Sequence, residues 1–332
     1  MIFSKIKIWK ESIAILLFLL FIFLFLFSPK LKDLLPSQLP DNLFNLNSIF
    51  LSIILEATPF ILIGVFFSAF IQSFVSEQMI QRVLPKHAIF AMFPAACLGL
   101  IFPICECAII PIVRRLIKKG LPQHIGMVFM LTVPILNPIV FLSTYYAFQN
   151  NQAILYGRMG VSFIVAITVG LLIYLFFNDK KIVKHSLPIN LNPSENQKNH
   201  RLKGILNQAS VEFFETGKYL IVGALCASFF QTFLDRSLLS SIGSNSETAP
   251  IIMMGFSYVL SLCSEADAFV ASSFQGTFTT GALIAFLVMG PMLDIKNTIM
   301  LFAYFRTKFV LIFILITCLC IYCLSRFIEI LL

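Results

Sequence analysis

Residues 101 to 148, IFPICECAIIPIVRRLIKKGLPQHIGMVFMLTVPILNPIVFLSTYYAF, decide how the rest of the chain is read. Two thiols and a carboxylate, Cys105, Glu106 and Cys107, stand between Pro103 and Pro111 in otherwise apolar sequence. A basic turn follows, then a second apolar segment broken at Pro134, Asn137 and Pro138. Helix-breaking residues at membrane depth need a reason. Hydrocarbon offers a freed carbonyl or amide no hydrogen bond, so such a break is buried in protein or lines a polar cavity. One that carries ionisable groups marks a candidate site.

Composition sets the class. Hydrophobic residues make up 58% of the 332 and charged residues 12%, with a mean hydropathy of +0.91 and several apolar runs long enough to cross a bilayer. The chain reads as an all-α polytopic membrane protein, multi-pass in the plasma (inner) membrane, with the lipid bilayer as its main partner. Its net charge of +8 comes from Lys and Arg clustered in short turns between apolar segments, which is the positive-inside signature and not a nucleic-acid surface. Most of the eight cysteines lie within apolar runs, and none has zinc-finger spacing, so neither structural disulfides nor a metal site is expected. The sequence lacks an HExxH zinc motif, a GxSxG nucleophile and a Walker-type phosphate loop. No enzyme, no cofactor and no direct ATP coupling is expected.

In chain order, Lys5, Lys7 and Lys10 precede an apolar run at 13 to 27 that ends in Phe27, Ser28 and Pro29 without a small-x-small cleavage site. It reads as a retained anchor helix, and residues 1 to 48 form anchor and polar connector. Apolar segments follow near 49 to 75, 88 to 113, 122 to 148 and 153 to 177, the first permease repeat. Residues 178 to 210 are a cytoplasmic linker, and residues 211 to 332 are a second repeat with segments near 211 to 234, 250 to 278, 280 to 301 and 304 to 324. The repetition is visible in unusual residues. Glu56, Gly64, Gln72 and Phe74 recur 159 positions later as Glu215, Gly223, Gln231 and Phe233; Cys105 recurs as Cys263; Phe129, Pro134 and Leu136 recur as Phe286, Pro291 and Leu293. Interrupted segments at matching positions of two halves point to a transporter's midplane site.

Charge chooses between two arrangements. If every apolar segment spans, eight or nine spans form parallel repeats and the basic residues divide almost evenly between the faces. If 88 to 113 and 250 to 278 are re-entrant hairpins, about seven spans form inverted repeats. The inner face then holds Lys5, Lys7 and Lys10, Arg82 and Lys86, the four charges at 114 to 119, six in the linker, and Lys296, Arg306 and Lys308: 18 of the chain's 24 Lys and Arg. The inverted arrangement is therefore expected. Pro94, Gly99, Pro103 and Pro111 support the first bend; Ser264, Glu265, Asp267 and Gly276 are the only signs of the second.

The strings PICECAIIPIVRRLIKKGLP, FMLTVPILNP and FLSTYYAF, with LCSEADAFVASSF and AFLVMGPMLDIKN in the second half, resemble the predicted-permease family that includes the organoarsenical efflux permeases. The resemblance covers about residues 50 to 325. It implies a multi-spanning exporter, with trivalent methylated arsenicals as the substrate of some relatives. The arsenical-exporting branch carries Cys-Ser-Cys where this chain reads Cys105-Glu106-Cys107, so the resemblance carries "permease" further than "arsenical".

The substrate site is expected at Cys105, Glu106, Cys107, Asn137, Cys263, Glu265, Asp267 and Asp294. In an extended break Cys105 and Cys107 would share a face and reach one soft centre, a thiophilic metalloid or another small molecule. Cys97, Cys226, Cys318, Cys320 and Cys323 read as packing residues. Glu56, Glu215, Glu265 and Asp267 are candidates for coupling to an ion gradient, although Glu56 and Glu215 could equally cap helices near the membrane surface. Lys296 stands close enough to neutralise Asp294, and His124 reads as interfacial. A secondary-active exporter explains duplication, breaks and carboxylates together; a membrane thiol-redox carrier, with Cys105 and Cys263 as its exchanging pair, and a channel-like pore are the alternatives. A homo-oligomer or an accessory protein is compatible with the sequence, and neither is marked in it.

Overall fold

The computed structural model describes residues 39–74, 88–100, 104–149, 151–177, 182–184, 201–233 and 247–331. The anchor run, Arg82, Lys86, Pro103, most of the linker and residues 234–246 lie outside them. The described chain is helical: α1 (Leu39–Phe74), α2 (Ala88–Leu98), α3 (Glu106–Lys118), α4 (Gln123–Thr132), α5 (Pro138–Ala147), α6 (Gln152–Phe177), α7 (Arg201–Phe233), α8 (Ala249–Leu260), α9 (Ser264–Ser272), α10 (Thr280–Met292), α11 (Ile295–Tyr304) and α12 (Thr307–Leu331). α1 begins inside the stretch read as a polar connector.

Five stretches among the described residues are long and apolar enough to cross a membrane: Asn42–Ile71, Gln152–Phe177, Ala209–Phe233, Thr280–Tyr304 and Thr307–Leu331. This is a polytopic membrane protein. Thr280–Tyr304, which is α10 and α11 joined through a break, is almost wholly enclosed, whereas the other four are mostly uncovered. Leu175 and Phe176 on α6, Phe229 and Phe230 on α7, and Leu315 and Leu319 on α12 face outward. Large apolar side chains on an outer surface belong against lipid, and α10–α11 is the central element they surround.

Two glycines set how close the long helices come to the interrupted ones. A Cβ on Gly64 would lie 2.5 Å from the Ala108 Cβ, and one on Gly223 would lie 2.8 Å from the Lys296 Cα, so α1 sits directly on α3 and α7 directly on α11. α1 and α7 also pack along each other through Phe50, Ile53, Ala224 and Ala227.

The breaks have defined chemistry. Asn137 and Asp294 are extended N-caps of α5 and α11, and each side chain accepts the backbone N–H three residues on, from Val140 at 2.9 Å and from Asn297 at 2.6 Å. Cys105 and Cys263 are the extended N-caps of α3 and α9, with (φ, ψ) of (−73°, 165°) and (−76°, 149°). In the segment 250 to 278, whose one proline stands at the start of α8, that helix ends on Ser261 in the left-handed region at φ 48°. A non-glycine residue holds that conformation only where its surroundings fix it. Here they do: Ser261 Oγ accepts from Ile295 N, and its carbonyl accepts from the Lys296 ammonium at 2.6 Å. The arms of each interrupted segment pack chiefly against other helices.

One face of the bundle gathers several helix ends. Lys119 Nζ donates to the Ile71 carbonyl at 2.8 Å, Arg115 pairs with Glu212 at 2.7 Å, and Ser68 donates to the same carboxylate. Lys184 N donates to the Tyr304 carbonyl and Arg306 N to the Ile182 carbonyl, while the Arg114 guanidinium lies 4.3 Å over the Tyr304 ring. His124, read as interfacial, is buried edge-to-face against Tyr174.

Candidate functional site

The N-caps of α3 and α9, the first turn of α11 and one face of α1 converge on a narrow pocket lined by Ile53, Glu56, Ala57, Phe60, Cys105, Glu106, Cys107, Cys263 and Lys296. Three thiols from two distant parts of the chain thus share one wall. Of the Cys105–Cys107 pair only Cys105 is extended; Cys107 sits in the first turn of α3, so the shared face comes from an N-cap followed by a helical turn and not from two extended residues. The Cys105 and Cys107 side chains both line this pocket and are both buried. Cys263 donates to Glu265 Oε2 at 2.9 Å and shares the pocket with Glu56. Glu56 stands exposed at the rim.

The floor of the pocket is ionic. Lys296 Nζ lies 3.2 Å from Glu106 Oε1 and 3.2 Å from Asp294 Oδ2, and donates to the Ser261 carbonyl. All three side chains are buried. Two carboxylates around one ammonium leave a surplus negative charge when all are ionised, and Glu106 Oε2 has no hydrogen-bond partner. An enclosed site of this kind favours a proton or a cationic or electrophilic guest, because charge in low dielectric is costly until neutralised.

The other expected residues divide. Asp294 belongs to the floor while capping α11. Asn137 caps α5 and donates to the Val133 and Pro134 carbonyls, holding a break without lining the pocket. Asp267 is fully buried one turn beyond Cys263, against α10. Glu215 lies on α7 in the field of Arg115 and Lys118, apart from the thiols. Cys226, Cys318 and Cys320 are half-buried, and Cys97 and Cys323 exposed, none lining this pocket. A second cleft, at the α3–α4 turn, is lined by Ile117, Gln123, His124 and Phe177 among others and contains neither thiol nor carboxylate.

Two buried charged residues among those described escaped the sequence reading. Arg158 on α6 is fully enclosed, with Nη1 donating to Thr144 Oγ1 at 2.7 Å and Nη2 to the Ser264 carbonyl at 2.9 Å. Its signal was available: it is the one charged residue in the 26 of α6. Glu212, the partner of Arg115, is the other.

A family model described as "Predicted permease" matches residues 42–330. The chain is 50% identical over 272 residues to UPF0718 protein YcgR of Bacillus subtilis, covering 82% of this chain and 92% of that protein. It is 41% identical over 280 residues to a Streptococcus mutans protein named as a subunit of a two-component membrane permease complex, covering 84% and 93%. No solved structure matches it.

Proposed function

This chain belongs to the predicted-permease family, and from that premise we propose that it is a secondary-active exporter, not an enzyme, that carries a small thiophilic substrate across the plasma membrane. The observation that carries the reading is the convergence of Cys105, Cys107 and Cys263 on one pocket above the Glu106–Lys296–Asp294 floor. Thiol sulfur is a soft donor suited to trivalent metalloids, organoarsenicals and thiophilic metal ions. A monomethyl arsenical bearing two hydroxyls condenses with two thiols, forming two As–S bonds and releasing two waters. A metal ion instead displaces the thiol protons, for which Glu106 is the adjacent acceptor.

The architecture we propose is a pair of inverted repeats. Its support is the matched capping of α3 with α9 by Cys105 and Cys263, and of α5 with α11 by Asn137 and Asp294. Crossing parity adds to it. Lys119 meets the end of α1, which supports α2 and α3 together returning to the face they left. Residues 182–184 meet the end of α11, which supports a reading in which α7 and α10–α11 make the crossings between them and α8–α9 re-enters. In a background without native cysteines, Gln149→Cys should react with an impermeant thiol reagent from outside and Arg306→Cys should not. Equal labelling of both from one side would replace this arrangement with fully spanning parallel repeats, because the two positions would then be four crossings apart.

The transport reading is tested by growth of a strain lacking the gene across metals, metalloids and organoarsenicals, complemented by variants of verified expression. Wild type and Cys226→Ser should protect against at least one of them; the Cys105→Ser, Cys107→Ser double variant should lose at least tenfold in tolerated concentration, an effect of roughly 1.4 kcal/mol or more. Cys263→Ser should weaken or lose it. Full protection by the double variant, or none by wild type, overturns the reading. The relative named as a complex subunit suggests that an accessory protein could supply part of the machinery, and protection that requires a co-expressed partner would show it.

A further inference from the structure

Asp267 is enclosed and unanswered. It stands on α9, fully buried, and neither Oδ1 nor Oδ2 has a hydrogen-bond partner. Room for it is made by Gly290 on α10, where a Cβ would lie 2.6 Å from Asp267 Oδ2 and 2.6 Å from Ser257 Oγ. The glycine therefore brings the carboxyl and the serine hydroxyl to the same small space. That hydroxyl has its own proton engaged with the Phe286 carbonyl at 2.7 Å, so towards Asp267 it can act only as an acceptor. An acceptor facing a carboxylate is repulsive. Facing a carboxylic acid, it has a hydrogen to receive.

The charged groups around Asp267 leave the same gap. Arg158 from α6, Glu106 from α3, and Asp294 and Lys296 from the α10–α11 break and α11 all act on it electrostatically. Lys296 is held between Glu106 and Asp294. Arg158 is held by Thr144 of α5 and by the carbonyl of Ser264, three residues before Asp267 on the same helix, and its Nε has no partner. α5 and α8 present no charged side chain. A buried carboxylate with no donor is strongly disfavoured, as any unpaired ion in a protein interior is.

We propose that Asp267 is a proton-binding site separate from the thiol pocket, loaded in this conformation, with Arg158 as the group that responds when the proton leaves. The proton neutralises the carboxyl, and Ser257 Oγ across the space left by Gly290 is an acceptor towards which the acid can turn. Loss of that proton creates a carboxylate in the field of an arginine whose present bonds are to a neutral hydroxyl and a carbonyl. The charge-assisted pair is stronger than either, so Arg158 leaves Thr144 and loosens the junction of α5, α6 and α9. The proton then has a structural readout at the contact between the two halves of the chain. As the coupling ion this deepens the exporter reading, but the site itself can be tested without a substrate.

The measurement is infrared difference spectroscopy of the purified full-length protein in lipid nanodiscs across a pH series, in H2O and D2O. Wild type should show the carbonyl stretch of a buried carboxylic acid, sensitive to deuteration and bleached on alkalinisation. Asp267→Asn should lose that component, equivalent to one protonatable carboxyl per chain, and Asp267→Glu should shift its position while restoring it. Glu56→Gln, Glu265→Gln and the Cys105→Ser, Cys107→Ser double variant should retain it, which separates failure of this site from failure of the thiol pocket. A wild-type spectrum without the band, or an Asp267→Asn spectrum superimposable on wild type, overturns the proposal. The amide I band in the same spectra, with Asp267→Glu, guards against a folding defect.

Discussion

Lys296→Met should lower the stability of the folded protein by about 3–5 kcal/mol, the range measured when one member of a buried ionic group is removed and the others remain. The reason lies in what the ammonium touches: Glu106, Asp294 and the Ser261 carbonyl, all within 3.2 Å and all buried. Methionine fills the volume and supplies none of the three bonds. Two carboxylates then face each other in low dielectric, and the left-handed turn at Ser261 loses one of the contacts that hold it. The check is a thermodynamic cycle in a fixed detergent. Adding Glu106→Gln and Asp294→Asn to Lys296→Met should recover at least half of the loss, because neutral amides need no counter-charge. If Lys296→Met unfolds at the wild-type midpoint, the ammonium is not what compensates the carboxylates, and the ionic floor described for the pocket is wrong.

Lys296 also shows where sequence reading reaches its limit. Asp294 and Lys296 are two residues apart, so their pairing was visible in the chain. Glu106 comes from the other half and reaches Lys296 only because Gly223 lets α7 sit against the α11 backbone and α3 packs against α11. The polar residues at the breaks were legible for a local reason: a helix interrupted in an apolar setting needs a cap, and Asn137 and Asp294 supply one to the N–H three residues on. The break before Cys263 was harder to see. Its bend is made by Ser261 at positive φ, a conformation serine does not announce and which tertiary contacts impose. Arg158 was missed although a lone cation in a long apolar helix is itself a signal. The internal repeat gives no pointer to it, because α12 has no cation at the corresponding place; its only basic residues are Lys308 and Arg326, near its two ends.

Gly64→Ala tests how tightly the thiols are positioned from behind. The new methyl would lie 2.5 Å from the Ala108 Cβ, 2.9 Å from its Cα and 3.1 Å from its carbonyl oxygen. Two of those atoms are backbone, so no rotamer change relieves the contact and the helices have to separate. Overpacking of this kind costs about 1–3 kcal/mol. The site suffers more than the fold, because Ala108 follows Cys107 directly and α3 carries both of its thiols at the end nearest the clash. Displacing that turn moves Cys105 and Cys107 away from Cys263, and a site with two sulfurs on one element and a third on another is sensitive to shifts below an ångström. Gly64→Ala should therefore lose most transport while the protein remains folded and inserted. Adding Ala108→Gly removes the worst contact but leaves the methyl against the Cα, so recovery should be partial. Full activity in Gly64→Ala would mean that α1 can back away from α3 without consequence, and that the three thiols do not act as one site.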